Sequence, residues 1–452
     1  MKNYFENKKV LVVGLGISGV AAVKALNKLG AKVLAYDGMP KEKMTKALEQ
    51  LKDCQVEYYF EDMTFDTKDI DLAIKSPGIK PETDIIQKLV SDNIEIISDL
   101  EAGYKATDNK FLTITGTNGN TTTTTLVGEI INGSKKNGVV TGNIGFGVFY
   151  DALNSNKGDI LVVEASSFQL DGTKEFKPFI SIITNLTPDH VDWHKSVENY
   201  YLAKIKVAIN QNKEDYCILN YEDENIRKYA DKLNTNLLYF SSSTVLDKGI
   251  YVENNKIVYN YNGEKAAIMP VEDIFIVGKH NVENVLAACA AARLAGVEFD
   301  KIREIVKSFK GVEHRLEYVD TIEGVKFYND SKGTNPDASI KALEGVKEPI
   351  ILIAGGYDKN SEYDDFIKAF NGKVKALILL GQTRDKIKAC AQKHGFTNIF
   401  LVEDMKEAVG KSFELCSSGD TVLLSPACAS WGMYPNYEVR GRDFKNLVLG
   451  YK

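Results

Sequence analysis

Apolar and polar positions come in short alternating blocks over the first hundred residues. KKVLVVG is an unbroken apolar run and predicts a buried strand. Ser18 to Leu29 carries apolar residues at helical spacing and stops at Gly30, and AKVLAYD predicts a second strand. Weaker strand signals follow in QVEYYF, DLAIKSPG and IEIISD. Strands alternating with helices predict a parallel sheet covered on both faces. Around Asp99 to Asn109 (DLEAGYKATDN) the chain turns polar, which predicts a connection between domains.

A second unit begins at FLTITG, with further buried strands at DILVVEAS and FISIITN. A helix is expected from Val282 to Leu294, capped by Asn281 and ended near Gly296. The next boundary falls near Lys310 and Gly311. The last third alternates again: GVKFYND, helix ASIKAL, EPIILIAGG, VKALILLG, IFLV and DTVLLSPA, with helices between the later strands. The expected fold class is α/β in three domains over residues 1–98, 99–310 and 311–452. The first and last are Rossmann-like, and the central one is a P-loop-type mononucleotide-binding domain.

Length agrees with this division, since 452 residues suit two to four domains. The composition, 44% hydrophobic and 26% charged, is that of an ordinary globular protein, and the net charge of −6 leaves no basic footprint for nucleic acid. No apolar run approaches the roughly 20 residues of a membrane helix, and Val10 to Val13 is too short for a signal peptide. The six cysteines form no C-x-x-C pair, which predicts free thiols in a reducing, cytoplasmic setting without membrane attachment.

The first candidate chemistry is TGTNGNTTTTTL, Thr115 to Leu126. It follows a strand and precedes a helix expected to begin near Asn120. There, backbone N–H groups and the helix dipole would face a phosphate. Gly116 and Gly119 let the backbone wrap closely, and Thr121 offers a hydroxyl to Mg²⁺. The general phosphate-loop pattern is not met: its first glycine would fall on Ile114, and its lysine is Asn120. The competing expectation is a turn before another strand, because five threonines favour extended backbone.

Other stretches add chemistry. Glu164 in VVEASSFQL is a strand-end carboxylate suited to Mg²⁺. TNLTPDHVDWH holds His190 in a loop after a strand, where α/β sheets bind ligands. VVGLGISG has Gly14, Gly16 and Gly19 after a strand, with Asp37 after the next one. Taken alone, those glycines suggest NAD or any other pyrophosphate, and a nicotinamide-dependent dehydrogenase rests on them only.

Gly116-Thr117-Asn118-Gly119 followed by threonines, together with these stretches in this order, resembles the Mur ligases, the ATP-dependent amide-forming enzymes of bacterial cell-wall synthesis. The resemblance runs from Lys9 to about Phe444. It implies ATP contacts at Gly116, Thr117, Asn118, Gly119, Asn120, Thr121, Thr122, Asn284 of GKHNVENVLAA, Arg315 of EHRLEYV and Asp330 of YNDSKGTNP. It implies two Mg²⁺ ions, with Thr121 and Glu164 on one, and His190 and a carbamylated Lys204 (NYYLAKIKV) on the other. The N-terminal domain would carry a UDP-linked substrate through Gly14, Leu15, Gly16, Ile17, Ser18, Asp37, Ser76, Pro77 and Gly78, with Asn143 of TGNIG on its sugar-peptide part. Lys332, Thr334, Lys359, Ser430 and Tyr437 would hold the incoming D-glutamate.

Within the family, the combination of this N-terminal domain with VVEASSFQL, NDSKGTNP and SPACASW is similar to the branch that adds D-glutamate to UDP-N-acetylmuramoyl-L-alanine through an acyl phosphate. That resemblance implies a monomeric peptidoglycan-synthesis ligase. A folylpolyglutamate synthase is disfavoured by the dedicated N-terminal domain. Asn120 leaves a second reading open: an impaired relative that binds UDP-sugar or ATP without turnover.

Overall fold

A computed structural model of the chain describes residues 4–452. Three sheets carry the architecture. The first has strands β1 (Lys9–Val13), β2 (Lys32–Asp37), β3 (Val56–Phe60), β4 (Leu72–Lys75) and β5 (Ile96–Ser98), all parallel, in the order β3-β2-β1-β4-β5. Val10, Leu11, Val12 and Val13 are fully buried. A strand with no exposed face is what an unbroken apolar run encodes.

The second sheet has nine strands: β6 (Lys110–Thr115), β7 (Gly138–Gly142), β8 (Ile160–Glu164), β9 (Ile180–Ile183), β10 (Tyr216–Asn220), β11 (Asn236–Ser241), β12 (Gly249–Glu253), β13 (Lys256–Tyr261) and β14 (Glu264–Pro270). Their order is β14-β13-β12-β11-β10-β9-β6-β8-β7. It is parallel as far as β12, and β12, β13 and β14 form an antiparallel meander. The third sheet has β15 (Glu317–Ile322), β16 (Val325–Asn329), β17 (Ile350–Ala354), β18 (Val374–Leu379), β19 (Ile399–Leu401) and β20 (Thr421–Leu424), in the order β15-β16-β20-β17-β18-β19. Only β15 runs antiparallel to its neighbour.

Strand order reverses direction beside β1, beside β6 and between β16 and β17. Loops leaving the carboxyl ends of strands diverge at such points and leave a crevice. The loops after β1 and β4, after β6 and β9, and after β16, β17 and β20 hold most of the candidate residues named above.

Two expectations are corrected. The stretch from Asp99 is not a polar connection but a helix, Asp99–Ala106, packed on the helix Val148–Asn154. Its polar residues are buried: Glu101 is fully inaccessible, and its carboxylate accepts from the backbone N–H groups of Lys174 at 2.9 Å, Glu175 at 3.1 Å and Phe176 at 3.0 Å. A carboxylate saturated by backbone donors can be buried where a solvated one cannot. The second correction is the helix expected from Val282, which begins earlier and spans Lys279–Leu294. Asn281 is therefore inside it, donating its side-chain amide to the Val277 carbonyl at 2.7 Å, and is no cap.

The chain forms two compact units. One comprises residues 1–273 and 282–307 and contains the first two sheets; the other comprises 274–281 and 308–452 and contains the third. Within the first unit, Phe149 from the central stretch is fully buried in the core of the N-terminal sheet, beside Phe5 with ring centres 4.9 Å apart. Among the described residues no helix is long and apolar enough to cross a membrane.

Candidate functional site

The loop after β6 closes as Gly116, at φ 155°, and Gly119, at φ 85°, turn the chain into the helix Asn120–Asn132. Side chains could not replace these hydrogens. A Cβ on Gly116 would lie 1.9 Å from Thr184 Oγ1, and one on Gly119 would lie 2.3 Å from Asn284 Oδ1. The threonine run is helical, and Thr121 to Thr124 are buried. Tertiary packing overrides the extended preference of threonine here.

A second loop, after β9, braces the first. Thr117 N–H donates to the Asn185 carbonyl at 2.9 Å, and Asn118 N–H donates to Asn185 Oδ1 at 2.8 Å. Thr184 Oγ1 donates to the Asn118 carbonyl at 2.7 Å, and Tyr200 OH donates to Thr117 Oγ1 at 3.2 Å. Thr123 Oγ1 donates to Asn284 Oδ1 at 3.3 Å, which brings Asn284 to the loop as expected for that residue. Thr184, Asn185 and Tyr200 were not singled out from sequence. The first two stand in TNLTPDHVDWH itself, and their signal was position directly after a buried strand.

Asn120 turns inward. Its Nδ2 donates to the Gly116 carbonyl at 2.7 Å, and its Oδ1 accepts from Thr184 Oγ1 at 3.1 Å. The side chain closes the loop on itself. The same Gly116 carbonyl accepts from Lys204 Nζ at 2.6 Å. Lys204 is 3% exposed on the helix Val197–Ile209, and burial lowers its ammonium to about 8 despite the carboxylates of Asp189 and Glu164. An ammonium weakened in this way has a reactive free-amine fraction near neutral pH.

Glu164 ends β8 and is 4% exposed. Its Oε1 accepts from Asn143 Nδ2 at 3.1 Å, while the buried Oε2 has no partner. A buried carboxylate oxygen without a donor is costly unless a cation completes it, so the residues present fit a divalent metal. His190 is exposed, in left-handed conformation at φ 47°, with its ring 5.0 Å from that of Phe168. The other histidine of that loop, His194, is buried against Ser167 Oγ at 3.0 Å, where burial lowers its pKa.

In the N-terminal sheet, Gly14 (φ 89°) begins the turn into the helix Ile17–Lys28. Leu15 N–H donates to Asp37 Oδ2 at 2.7 Å, and Ser76 Oγ donates to the Gly14 carbonyl at 2.9 Å. Gly19 is packed on the same turn, where a Cβ would lie 1.8 Å from the Gly14 carbonyl oxygen. Ile17 is 69% exposed at the rim, and Lys75, Ser76 and Ile79 close a turn in which Lys75 Nζ donates to the Ile79 carbonyl at 3.0 Å.

In the second unit, Asp330 at the end of β16 accepts from Ser425 Oγ at 2.7 Å and from Leu316 N–H at 3.2 Å. Burial pushes its carboxyl up to about 7. Arg315 lies between His314 and Leu316, both at positive φ, and Lys332 N–H donates to the His314 carbonyl at 3.0 Å. Lys332 Nζ lies 5.9 Å from the centre of the Tyr437 ring, and Lys359 Nζ 5.2 Å from that of Trp431. Thr334 N–H donates to the Lys332 carbonyl at 2.9 Å, and Ser430 is buried.

Arg440 was missed from sequence. Its buried guanidinium donates through Nη2 to the Ser331 carbonyl at 2.8 Å and through Nη1 to the Cys428 carbonyl at 3.1 Å, tying the loops after β16 and β20 together. Its fork geometry suits that double bridge.

Comparisons with known proteins bear on this arrangement. Three family models match: "Mur ligase MurD-like, N-terminal domain" over residues 8–98, "Mur ligase middle domain" over 114–292, and "Mur ligase, glutamate ligase domain" over 314–428. The chain is 46% identical over 446 residues to the UDP-N-acetylmuramoylalanine–D-glutamate ligase of Thermoanaerobacter pseudethanolicus, covering 98% of both chains. It is 43% identical over 449 residues to the protein of the same name from Clostridioides difficile, covering 99% of both. Among solved structures it is similar in fold to the UDP-N-acetylmuramate–alanine ligase of Thermotoga maritima, with TM-score 0.61 and 20% identity, covering 98% of this chain and 100% of that one. The MurF ligase of Thermotoga maritima, solved in complex with ADP, gives TM-score 0.59 and 15% identity and covers 100% of both.

Proposed function

Because the chain belongs to the Mur ligase family, we propose that it is an ATP-dependent carbon–nitrogen ligase of peptidoglycan synthesis, which joins D-glutamate to UDP-N-acetylmuramoyl-L-alanine. The observation that carries the reading is the buried, unpartnered Glu164 Oε2 in the unit that holds the glycine cradle of residues 116–122. The choice of substrates follows the relatives named above, UDP-N-acetylmuramoylalanine–D-glutamate ligases that the chain matches over nearly its whole length. In this reading residues 1–98 serve the UDP-linked substrate, 99–310 ATP, and 311–452 the amino acid.

The reaction runs in two steps. The alanyl carboxylate attacks the γ-phosphorus of ATP, giving an acyl phosphate and ADP. The amine of D-glutamate then attacks the acyl carbon, an amide forms, and phosphate leaves. The protein's part is positioning and charge neutralisation. The loop 116–122 and the N-terminus of the helix behind it hold the phosphates, with Asn284 setting the helix against the loop. Arg315 and Asp330 serve the nucleotide. Gly14 to Ser18, Asp37, and Ser76 to Gly78 hold the UDP group, and Asn143 its sugar-peptide part. Lys332, Thr334, Lys359, Ser430 and Tyr437 receive the two carboxylates of D-glutamate, which need donors.

Thr121 and Glu164 would hold one Mg²⁺, and His190 with a carbamate on Lys204 a second. Bound there, the ions supply neutralisation of phosphate charge. Asn120 supplies no such charge. The impaired-relative alternative finds no support in the comparisons, and the loop is braced on both sides despite the substitution.

The test is phosphate release from ATP with Mg²⁺, UDP-N-acetylmuramoyl-L-alanine and D-glutamate. Release that needs all three substrates is expected. Release that ignores D-glutamate, or none at all, overturns the reading.

A further inference from the structure

Outside the proposed ligase machinery, the C-terminal unit brings three chemically different donors together on its surface. Asp364 opens the helix Asp364–Lys368, Cys390 lies in the helix Arg384–Lys393, and His394 is the residue that ends it. The donor atoms of all three lie within 4.8 Å of one another. His394 Nε2 is 2.8 Å from Asp364 Oδ1. The spacing of Cys390 and His394 is one helical turn, the separation by which two ligands on one helix face reach a single ion. The ligand atoms of a tetrahedral Zn²⁺ site stand roughly 3.5 Å apart, a spacing that donors already within 4.8 Å of one another reach by small side-chain rotations.

We propose that Asp364, Cys390 and His394 form a surface site for a borderline divalent cation of the Zn²⁺ type, with water as the fourth ligand. The donor set argues for the metal class: thiolate and imidazole select Zn²⁺ over Mg²⁺ or Ca²⁺, which prefer all-oxygen shells. Cys390 and His394 stand at the carboxyl end of their helix, whose partial negative charge favours a cation there. At present Lys393 Nζ occupies that role, 2.9 Å from Asp364 Oδ1. It is a neighbour on a flexible stem that a metal ion displaces without moving the backbone.

Burial, then the Asp364 carboxylate, holds the Cys390 thiol above its ordinary range, so binding releases its proton. Ligation pins the end of one helix to the start of the other. The second three-donor grouping, Glu313, His314 and Glu317, is different. Lys445 Nζ already neutralises both of its carboxylates, and Gly441 packs on the ring.

The test is a Co²⁺ titration of the full-length chain, followed by the near-ultraviolet thiolate-to-cobalt absorption, with thermal unfolding at increasing Zn²⁺ alongside. The wild type is expected to develop the band to one equivalent and to unfold at higher temperature with Zn²⁺. Cys390→Ser loses the band, and His394→Gln weakens Co²⁺ binding at least about tenfold. Both should keep the far-ultraviolet circular dichroism and ligase activity of the wild type without added Zn²⁺. No band in the wild type, or a band that survives Cys390→Ser and so comes from Cys54 or Cys416, overturns the site.

Discussion

The chain has two glycine turns of the same local design, and they are equipped differently. Both follow a parallel strand buried after its first residue, both use a glycine at positive φ, and both open a helix. Around the first, at Gly14 to Gly19, the neighbours are a hydroxyl, Ser76, and one carboxylate, Asp37, which is committed to the Leu15 and Met39 backbone N–H groups. Around the second, at Gly116 to Asn120, a buried lysine bonds the loop, and the carboxylate of Glu164, one oxygen of which has no partner, lies close enough to act on that lysine. A glycine turn prepares backbone for an anion. The groups that the rest of the fold places behind it decide whether the site only binds a pyrophosphate or also handles charge that develops during a reaction.

The sharpest way to break this contrast is Glu164→Gln. Loss of one group stabilising transition-state charge costs about 10²–10³ in rate. We expect kcat to fall by that factor while the melting temperature holds or rises, because a buried charge with one unpartnered oxygen is removed. A parallel loss of stability and activity would make Glu164 structural. Asn120→Lys should act in the opposite sense, raising kcat by about 10²-fold in steady-state phosphate release, since it restores a charge opposite the phosphates. An unchanged rate would mean that the loop's backbone and the bound metal already neutralise that charge.

A third test reads the buried lysine through pH. The folded-state value of Lys204, about 8, lies below its ordinary 10.5. Between those values the unfolded chain binds more protons, so this group's contribution to stability rises with pH and is flat below about 8. In CO2-free buffer, where Lys204 is unmodified, the wild type compared with Lys204→Met by denaturant unfolding at pH 8 and pH 10 should gain about 2–3 kcal/mol. A carbamylated lysine has no such proton to lose and would show no gain.

The smallest expected effect separates the turns directly. Gly119→Ala places a methyl at φ 85° against Asn284 and should lose about 1–2 kcal/mol of stability and raise KM for ATP. Gly16→Ala meets nothing within 4 Å at ordinary φ, so stability should hold within about 0.5 kcal/mol. Any kinetic change should then fall on KM for the UDP substrate alone. A change in KM for ATP from Gly16→Ala would erase the division of labour between the two turns.

Much of this molecule is legible in its sequence because parallel strands buried on both faces must be written as continuous apolar runs. KKVLVVG, FLTITG, EPIILIAGG and DTVLLSPA announce themselves, and the glycines after the first two announce the turns. The antiparallel meander β12 to β14 and the helix Asp99–Ala106 escaped that reading. The meander's short strands lie at one edge of a sheet and break their apolar residues with glutamate, lysine and asparagine instead of forming one apolar run, and the helix buries a carboxylate whose partners lie more than 70 residues away. The inward turn of Asn120, the shared Gly116 carbonyl and the double bridge of Arg440 are likewise contacts between loops distant in the chain. Local sequence determined which segments become strands, helices and glycine turns, because those depend on periodicity and backbone freedom within a few residues. Tertiary structure alone decided which charges stand behind each turn, because burial and hydrogen-bond partners are set only when the loops of different strands meet.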